Sequence, residues 1–122
     1  MRILIVDDDA MVIESCRRIL EADGVSVRVA ENAMEARKIL DEGTTFELML
    51  TDIKMPSQDG FQLISNIKQT WPDMAVLMMT GYLTPETIDR GKSGGAHGFI
   101  AKPFTPDELI TAIHKTLKHK AQ

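Results

Sequence analysis

Cysteine, tryptophan and tyrosine each occur once in these 122 residues. A single thiol makes neither an internal disulfide nor a thiolate metal cage, so a reducing cytoplasmic setting is the expectation. Long apolar runs are missing too. The apolar start Met1–Val6 already contains Arg2 and ends at three aspartates, and the amino terminus carries no signal-peptide pattern, so no membrane role is expected. Positive charge is not in excess. A net charge of −4 argues against unaided nucleic-acid binding, which needs a basic face. With repeats and low-complexity stretches absent as well, the chain reads as one domain over residues 1–122, and its 43% hydrophobic content suffices for one core.

Short β-type runs alternate with helix-type runs from end to end. Ile3–Val6 is a strand closed by Asp7, Asp8 and Asp9. Val12, Cys16, Ile19 and Leu20 form a helical stripe that Gly24 should stop. Val25, Val27 and Val29 alternate with Ser26 and Arg28, as in a strand near a sheet edge. Asn32 with Glu35 opens a second helix ending near Gly43. Phe46–Thr51 and Ala75–Met79 are near-continuous apolar runs, expected for strands buried on both faces.

Between them, a loop from Asp52 through Pro56 to Gly60 leads into a helix with Phe61, Ile64, Ile67 and Lys68. Thr84-Pro85 starts a fourth helix, which Gly91, Gly94 and Gly95 weaken by about 1 kcal/mol each if interior. Gly98–Ala101 is a short last strand. Thr105-Pro106-Asp107-Glu108 is a capping box before a helix to about Lys118, striped by Ile110, Ile113 and Leu117. Five such β/α pairs predict a parallel sheet covered on both faces, with right-handed crossovers bringing all strand C-termini to one edge. Ligand sites in such sheets lie on that edge.

The strand ends carry the chemistry. Strand one ends in Asp7, Asp8 and Asp9, strand three in Asp52, strand four in Thr80 and strand five in Lys102. Carboxylates forced together repel unless a cation compensates, and an all-oxygen cluster suits a hard cation such as Mg²⁺. A lysine and a hydroxyl opposite would hold an anion bridged to that metal. Phosphoryl transfer uses this arrangement, and a carboxylate can serve as its nucleophile.

Ile3-Leu4-Ile5-Val6-Asp7-Asp8, Thr51-Asp52-Ile53-Lys54-Met55-Pro56, Met79-Thr80-Gly81 and Lys102-Pro103-Phe104 together resemble the four signatures of response-regulator receiver domains, the phosphoacceptor halves of two-component systems. The likeness spans the whole chain in order and spacing. It implies a flavodoxin-like (βα)5 three-layer sandwich whose five parallel strands run in the order 2-1-3-4-5, an order illustrated for this same family. It implies that Asp52 takes a phosphoryl group from a histidine-kinase phosphohistidine or a small acyl phosphate, with Mg²⁺ or Mn²⁺. In that reading Asp8 is a direct metal ligand, Asp7 acts mainly through water, and Asp52 and the Lys54 carbonyl complete the set. Thr80 bonds the phosphoryl group, Lys102 pairs with it, and Gly81 leaves it room. Lys102-Pro103 matches a peptide bond that is usually cis, and Phe99 the aromatic that turns inward as Thr80 moves.

The implied partners are a sensor histidine kinase or phosphotransfer protein, and an effector or output domain on the face of the fourth helix, fifth strand and fifth helix. Nucleic acid is not an expected direct partner, and the state is a monomer or a phosphorylation-dependent dimer. Such a domain is a signalling phosphoacceptor that catalyses only its own phosphorylation and dephosphorylation. Lys54 and Tyr82 match positions that tune phosphoryl lifetime. Both are bulky, which predicts a longer-lived adduct than in a fast chemotaxis-type regulator.

Blander roles are expected for other residues. Asp9 reads as a helix cap, Cys16 and most methionines as core, and Trp71 as cover for the third helix. His114 and His119 read as partners of a helix C-terminus, and His97 has no second ligand at metal spacing. A haloacid-dehalogenase-type phosphatase would use the D-x-D in Asp7-Asp8-Asp9, but it leaves Asp52 without a role. A flavin or nucleotide carrier would need a glycine-rich phosphate loop after strand one, where aspartates stand instead.

Overall fold

The computed structural model describes residues 1–55 and 58–121. Seven strands and five helices follow in chain order. They are β1 (Arg2–Val6), α1 (Ala10–Ala22), β2 (Ser26–Ala30), α2 (Ala33–Asp41), β3 (Leu48–Asp52), β4 (Lys54–Met55) and β5 (Gln58–Asp59). After them come α3 (Gly60–Thr70), β6 (Ala75–Thr80), α4 (Pro85–Gly94), β7 (Gly98–Ala101) and α5 (Pro106–Ala121). The main sheet is wholly parallel in the order β2-β1-β3-β6-β7, which is 2-1-3-4-5 when its five strands are counted alone.

Period-two alternation sends successive strand residues to opposite faces. Leu4, Val6, Met49, Val76 and Met78 join Ala36, Ile39 and Leu40 of α2 and Leu63, Ile64 and Ile67 of α3. Ile3, Ile5, Leu50, Leu77 and Met79 face the other way, against Ile13, Cys16 and Leu20 of α1 and Leu109 and Ile113 of α5. The result is three layers with a core on each side of the sheet. β2 is an edge strand, and its exposed Ser26 and Arg28 alternate with half-covered Val27 and Val29.

The caps follow the sequence chemistry. Asp9 Oδ1 accepts the Met11 amide at 2.9 Å, and Asn32 Oδ1 accepts that of Glu35 at 2.8 Å. Thr105 Oγ1 accepts the Glu108 amide at 3.1 Å, while Glu108 Oε1 accepts the Thr105 amide at 2.8 Å, closing the expected capping box. Gly95 ends α4 with φ of +110°, which leaves Gly91 and Gly94 inside the helix.

Two boundaries differ from the sequence reading. β3 begins at Leu48, because Phe46 is buried as a plug beneath α2 and stands outside the ladder. The stretch after Asp52 is more ordered than a plain loop, since Lys54 and Met55 pair antiparallel with Asp59 and Gln58. Two-residue strands have no period to read. Pro56, part of the acceptor signature, lies outside the described residues.

Candidate phosphoacceptor site

Asp7 follows directly on β1, Asp52 and Thr80 close β3 and β6, and Lys102 follows β7. Parallel register brings them together, with Val6 opposite Thr51, Asp52 opposite Met79 and Thr80 opposite Ala101. Carboxylate oxygens of Asp7, Asp8 and Asp52 lie within 4.8 Å of one another, with Asp7 and Asp52 buried and Asp8 exposed. The Lys102 ammonium donates to Asp7 Oδ2 at 2.9 Å and pairs with Asp52 Oδ2 at 3.3 Å. Asp7 Oδ1 accepts the Asp9 amide at 2.9 Å, and Asp52 Oδ1 accepts the Lys54 amide at 3.3 Å.

Burial sets the electrostatics. It lifts the Asp7 carboxyl above the ordinary aspartate value despite the Lys102 hydrogen bond, and the Asp52 charge pushes the same way. Burial also pulls on the Lys102 ammonium, but its bond to Asp7 and the charge of Asp52 outweigh that and hold it above the usual lysine value. The rim therefore has more buried negative charge than one lysine settles. That is a site made for a cation, and Asp7, Asp8 and Asp52 can hold a metal.

The other predicted residues surround this centre. Thr80 is buried, and its Oγ1 accepts the Tyr82 amide at 3.0 Å. Gly81 and Tyr82 are exposed beside it, and the Lys102-Pro103 bond is cis. The Lys54 ammonium stands 4.1 Å from the centroid of the Tyr82 ring, joining the loops after β3 and β6 across the rim. Phe99 lies apart from the carboxylates, half-buried against the α2–α3 core. Asp9 is a cap, as expected, which removes the acid that a D-x-D phosphatase would need free.

His97 is no ligand. Its Nδ1 accepts the Val76 amide at 3.1 Å and its own amide donates to the Val76 carbonyl at 2.8 Å, completing the ladder at the opposite end of the sheet. Trp71 caps α3 and packs on the core, and the Cys16 thiol is pushed up to about 11, chiefly by burial.

Two features were not foreseen. A groove of about 420 Å³ opens beside Lys102, lined by Met11, Val12, Cys16, Pro103 and Phe104. Gly60 carries the turn into α3 against the backbone of Ile53, and its amide donates to the Ile53 carbonyl at 3.0 Å. A glycine in an Asp-Gly pair was the only sequence signal for that approach.

This parallel sheet with an acidic rim, one lysine and one hydroxyl is the architecture of a phosphoryl-accepting signalling domain. The family sequence pattern of the response regulator receiver domain matches residues 3–114, and the chain belongs to that family. It is 35% identical over 118 residues to the response regulator MprA of Mycobacterium leprae, covering 97% of this chain and 51% of that protein. The chain spans about half the length, or less, of the curated relatives it matches. Among solved structures, the CheY-like receiver domain protein of Methanospirillum hungatei JF-1 superimposes with a TM-score of 0.89 at 36% identity, covering 98% of this chain and 95% of that one. The chemotaxis protein CheY4 of Vibrio cholerae reaches a TM-score of 0.90 at 26% identity, over 94% of this chain and 97% of that one. Phosphorylation on an aspartate and control of an output domain are the general function of the family, whose members are signalling domains. No helix among the described residues is long and apolar enough to cross a membrane.

Proposed function

We propose that Asp52 is the phosphoacceptor of a cytoplasmic two-component pathway and that residues 1–122 work as one receiver unit. The observation that carries this reading is the Lys102 ammonium paired with both Asp7 and Asp52 within an acidic trio. An Asp52 carboxylate oxygen attacks the phosphorus of a phosphohistidine or of acetyl phosphate. The P–N or P–O bond breaks, its electron pair leaves with the imidazole or acetate, and an acyl phosphate remains on Asp52. Lys102 then pairs with a phosphoryl oxygen, and Thr80 donates its hydroxyl to another after releasing the Tyr82 amide. The small Gly81 leaves space at the rim.

Mg²⁺, or Mn²⁺, held by Asp7, Asp8, Asp52 and the Lys54 carbonyl, supplies charge neutralisation of the phosphoryl oxygens when bound. Reversal by water is the same chemistry, so the domain governs its own dephosphorylation. The donor is a sensor histidine kinase or phosphotransfer protein, whose apolar surface suits the groove at Met11 and Phe104. The effector docks on α4, β7 and α5, where a groove of about 560 Å³ is lined by Phe99, Ala101, Asp107, Lys115 and His119.

Intact mass after incubation with acetyl phosphate and Mg²⁺ tests the reading. A phosphoryl adduct is expected in the native chain and not in Asp52→Asn or without Mg²⁺. An adduct that survives Asp52→Asn refutes it.

A further inference from the structure

Little holds α4 to the rest of the fold. Its only buried residue is Gly91, whereas α3 buries Gly60, Leu63, Ile64 and Ile67. Gly91 has no positive φ, so backbone strain is not the reason for a glycine there. Space is the reason. A Cβ at position 91 would lie 2.6 Å from Phe99 Cε1 and 3.1 Å from Met78 Cε and Sδ. Met78 and Phe99 are themselves register partners on β6 and β7. The ring edge thus occupies the place where any other residue would carry its side chain.

Gly94, three residues along the same helix, is different. A Cβ there would make only ordinary contacts, at 3.6 Å from the Phe61 carbonyl oxygen and 3.9 Å from Ile64 Cγ2. Both glycines weaken the helix alike. Packing is what separates them.

We propose that Gly91 is the seat of the Phe99 ring, and that this seat makes ring orientation and α4 position one two-position element. Interiors do not keep ring-sized voids, so a ring that leaves the seat lets the helix settle, and a ring that returns lifts it. Few buried contacts make that displacement easy. The helix also has a line to the phosphoacceptor. Arg90, next to the seat, lies 4.1 Å over the Phe61 ring and pairs with Asp59 at 3.5 Å. Asp59 caps α3, and the neighbouring Gly60 amide is bonded to Ile53, the residue after Asp52. A shift at the acceptor loop and a shift of α4 therefore pull on the same cap. The regulatory part of this proposal rests on the receiver reading, but the packing part does not.

Methyl NMR of the full chain, labelled at methionine Cε, tests both parts through Met78. The variants are Gly91→Ala, Gly94→Ala, Phe99→Leu and the Gly91→Ala/Phe99→Leu pair, each with and without beryllofluoride and Mg²⁺. Gly91→Ala should move the Met78 resonance toward its position in Phe99→Leu and lower the Tm. Gly94→Ala should leave Met78 in place and raise the Tm. Phe99→Leu should remove the penalty of Gly91→Ala, and the beryllofluoride shift of Met78 in the native chain should be lost in Gly91→Ala. A Met78 resonance that Gly91→Ala leaves in place, or a penalty that Phe99→Leu does not relieve, overturns the seat whether or not Asp52 takes a phosphoryl group. Should Gly91→Ala fail to fold, recovery of folding in the paired variant supports the seat, and failure of both overturns it. A seat that holds in a native chain unresponsive to beryllofluoride overturns the receiver reading instead.

Discussion

Replacing Lys102 with methionine keeps the length of the side chain and removes its charge. Asp7 is fully buried there, and the lysine that faces it keeps 22% of its side-chain surface exposed. Removing one partner of a buried ion pair costs about 3–5 kcal/mol, and the partial exposure of Lys102 puts the expected loss near the lower end, about 3 kcal/mol at pH 7. For a domain of this size that is a fall of about 10 °C in Tm. Acid should reverse part of it. The Asp7 carboxyl already titrates above its ordinary value through burial, and losing the Lys102 hydrogen bond raises it further. A group with a raised folded pKa regains stability as pH falls through that value, so the deficit of Lys102→Met should shrink between pH 7 and pH 4. In the native chain the clamp should hold up to the ordinary lysine value and fade only as pH rises past it, because the folded lysine titrates higher. Adding Asp52→Asn should restore some stability, since the Asp52 charge presses on Asp7. Urea unfolding of the metal-free protein across that pH range measures all of this. A loss below about 1 kcal/mol at pH 7, or a deficit of constant size down to pH 4, would refute the argument from buried charge.

His97 is lowered to about 4 from 6.5, first by burial and then by Lys68, Lys120 and His119. Folding stability should therefore fall as pH drops from about 6.5 to 4, by about 3 kcal/mol before screening and about 1–2 kcal/mol after it. His97→Asn, which keeps an acceptor for the Val76 amide, should flatten that part of the urea-unfolding profile. Gly60→Ala would put a methyl group into the backbone of Ile53 and 2.8 Å from the Asp52 and Ile53 carbonyl oxygens. It should cost about 1–3 kcal/mol in unfolding and slow adduct formation with acetyl phosphate, because the acceptor loop must move. A native rate of adduct formation would show that the loop is not set by Gly60. Lys54→Asn with Tyr82→Glu removes a contact of about 0.5–1 kcal/mol over the rim, so loss of the phosphoryl group should quicken about two- to fivefold. An unchanged dephosphorylation rate would end the view of this pair as a lid.

Period and punctuation made most of the fold legible. Val25, Val27 and Val29 gave away the edge strand because one face of it meets solvent, and Ala75–Met79 gave away a central one because neither face does. Asn32, Thr84 and Thr105 marked helix starts through chemistry local to three or four residues. The candidate site was legible for a related reason. Its residues stand at strand ends, so placing the strands and their direction places Asp7, Asp52, Thr80 and Lys102 together. What stayed hidden depends on distances between elements. Phe46 has the pattern of a strand residue but fills a hole under α2. The Lys54–Tyr82 contact and the Gly91 seat join side chains that no periodicity relates. His97 looked like a loop histidine until the Val76 amide gave its ring nitrogen a task.

The bond between Lys102 and Asp7 joins residues 95 positions apart in the chain. A contact so distant forms only after every intervening strand has taken its place, since loop closure must come before the contact rewards it. Competence to signal is therefore withheld during synthesis. A ribosome-bound fragment ending before β7 has the acceptor and both amino-terminal aspartates, yet it lacks the cation that makes them a site. Donor phosphate would be spent only on finished molecules, and the sheet acts as its own proofreader.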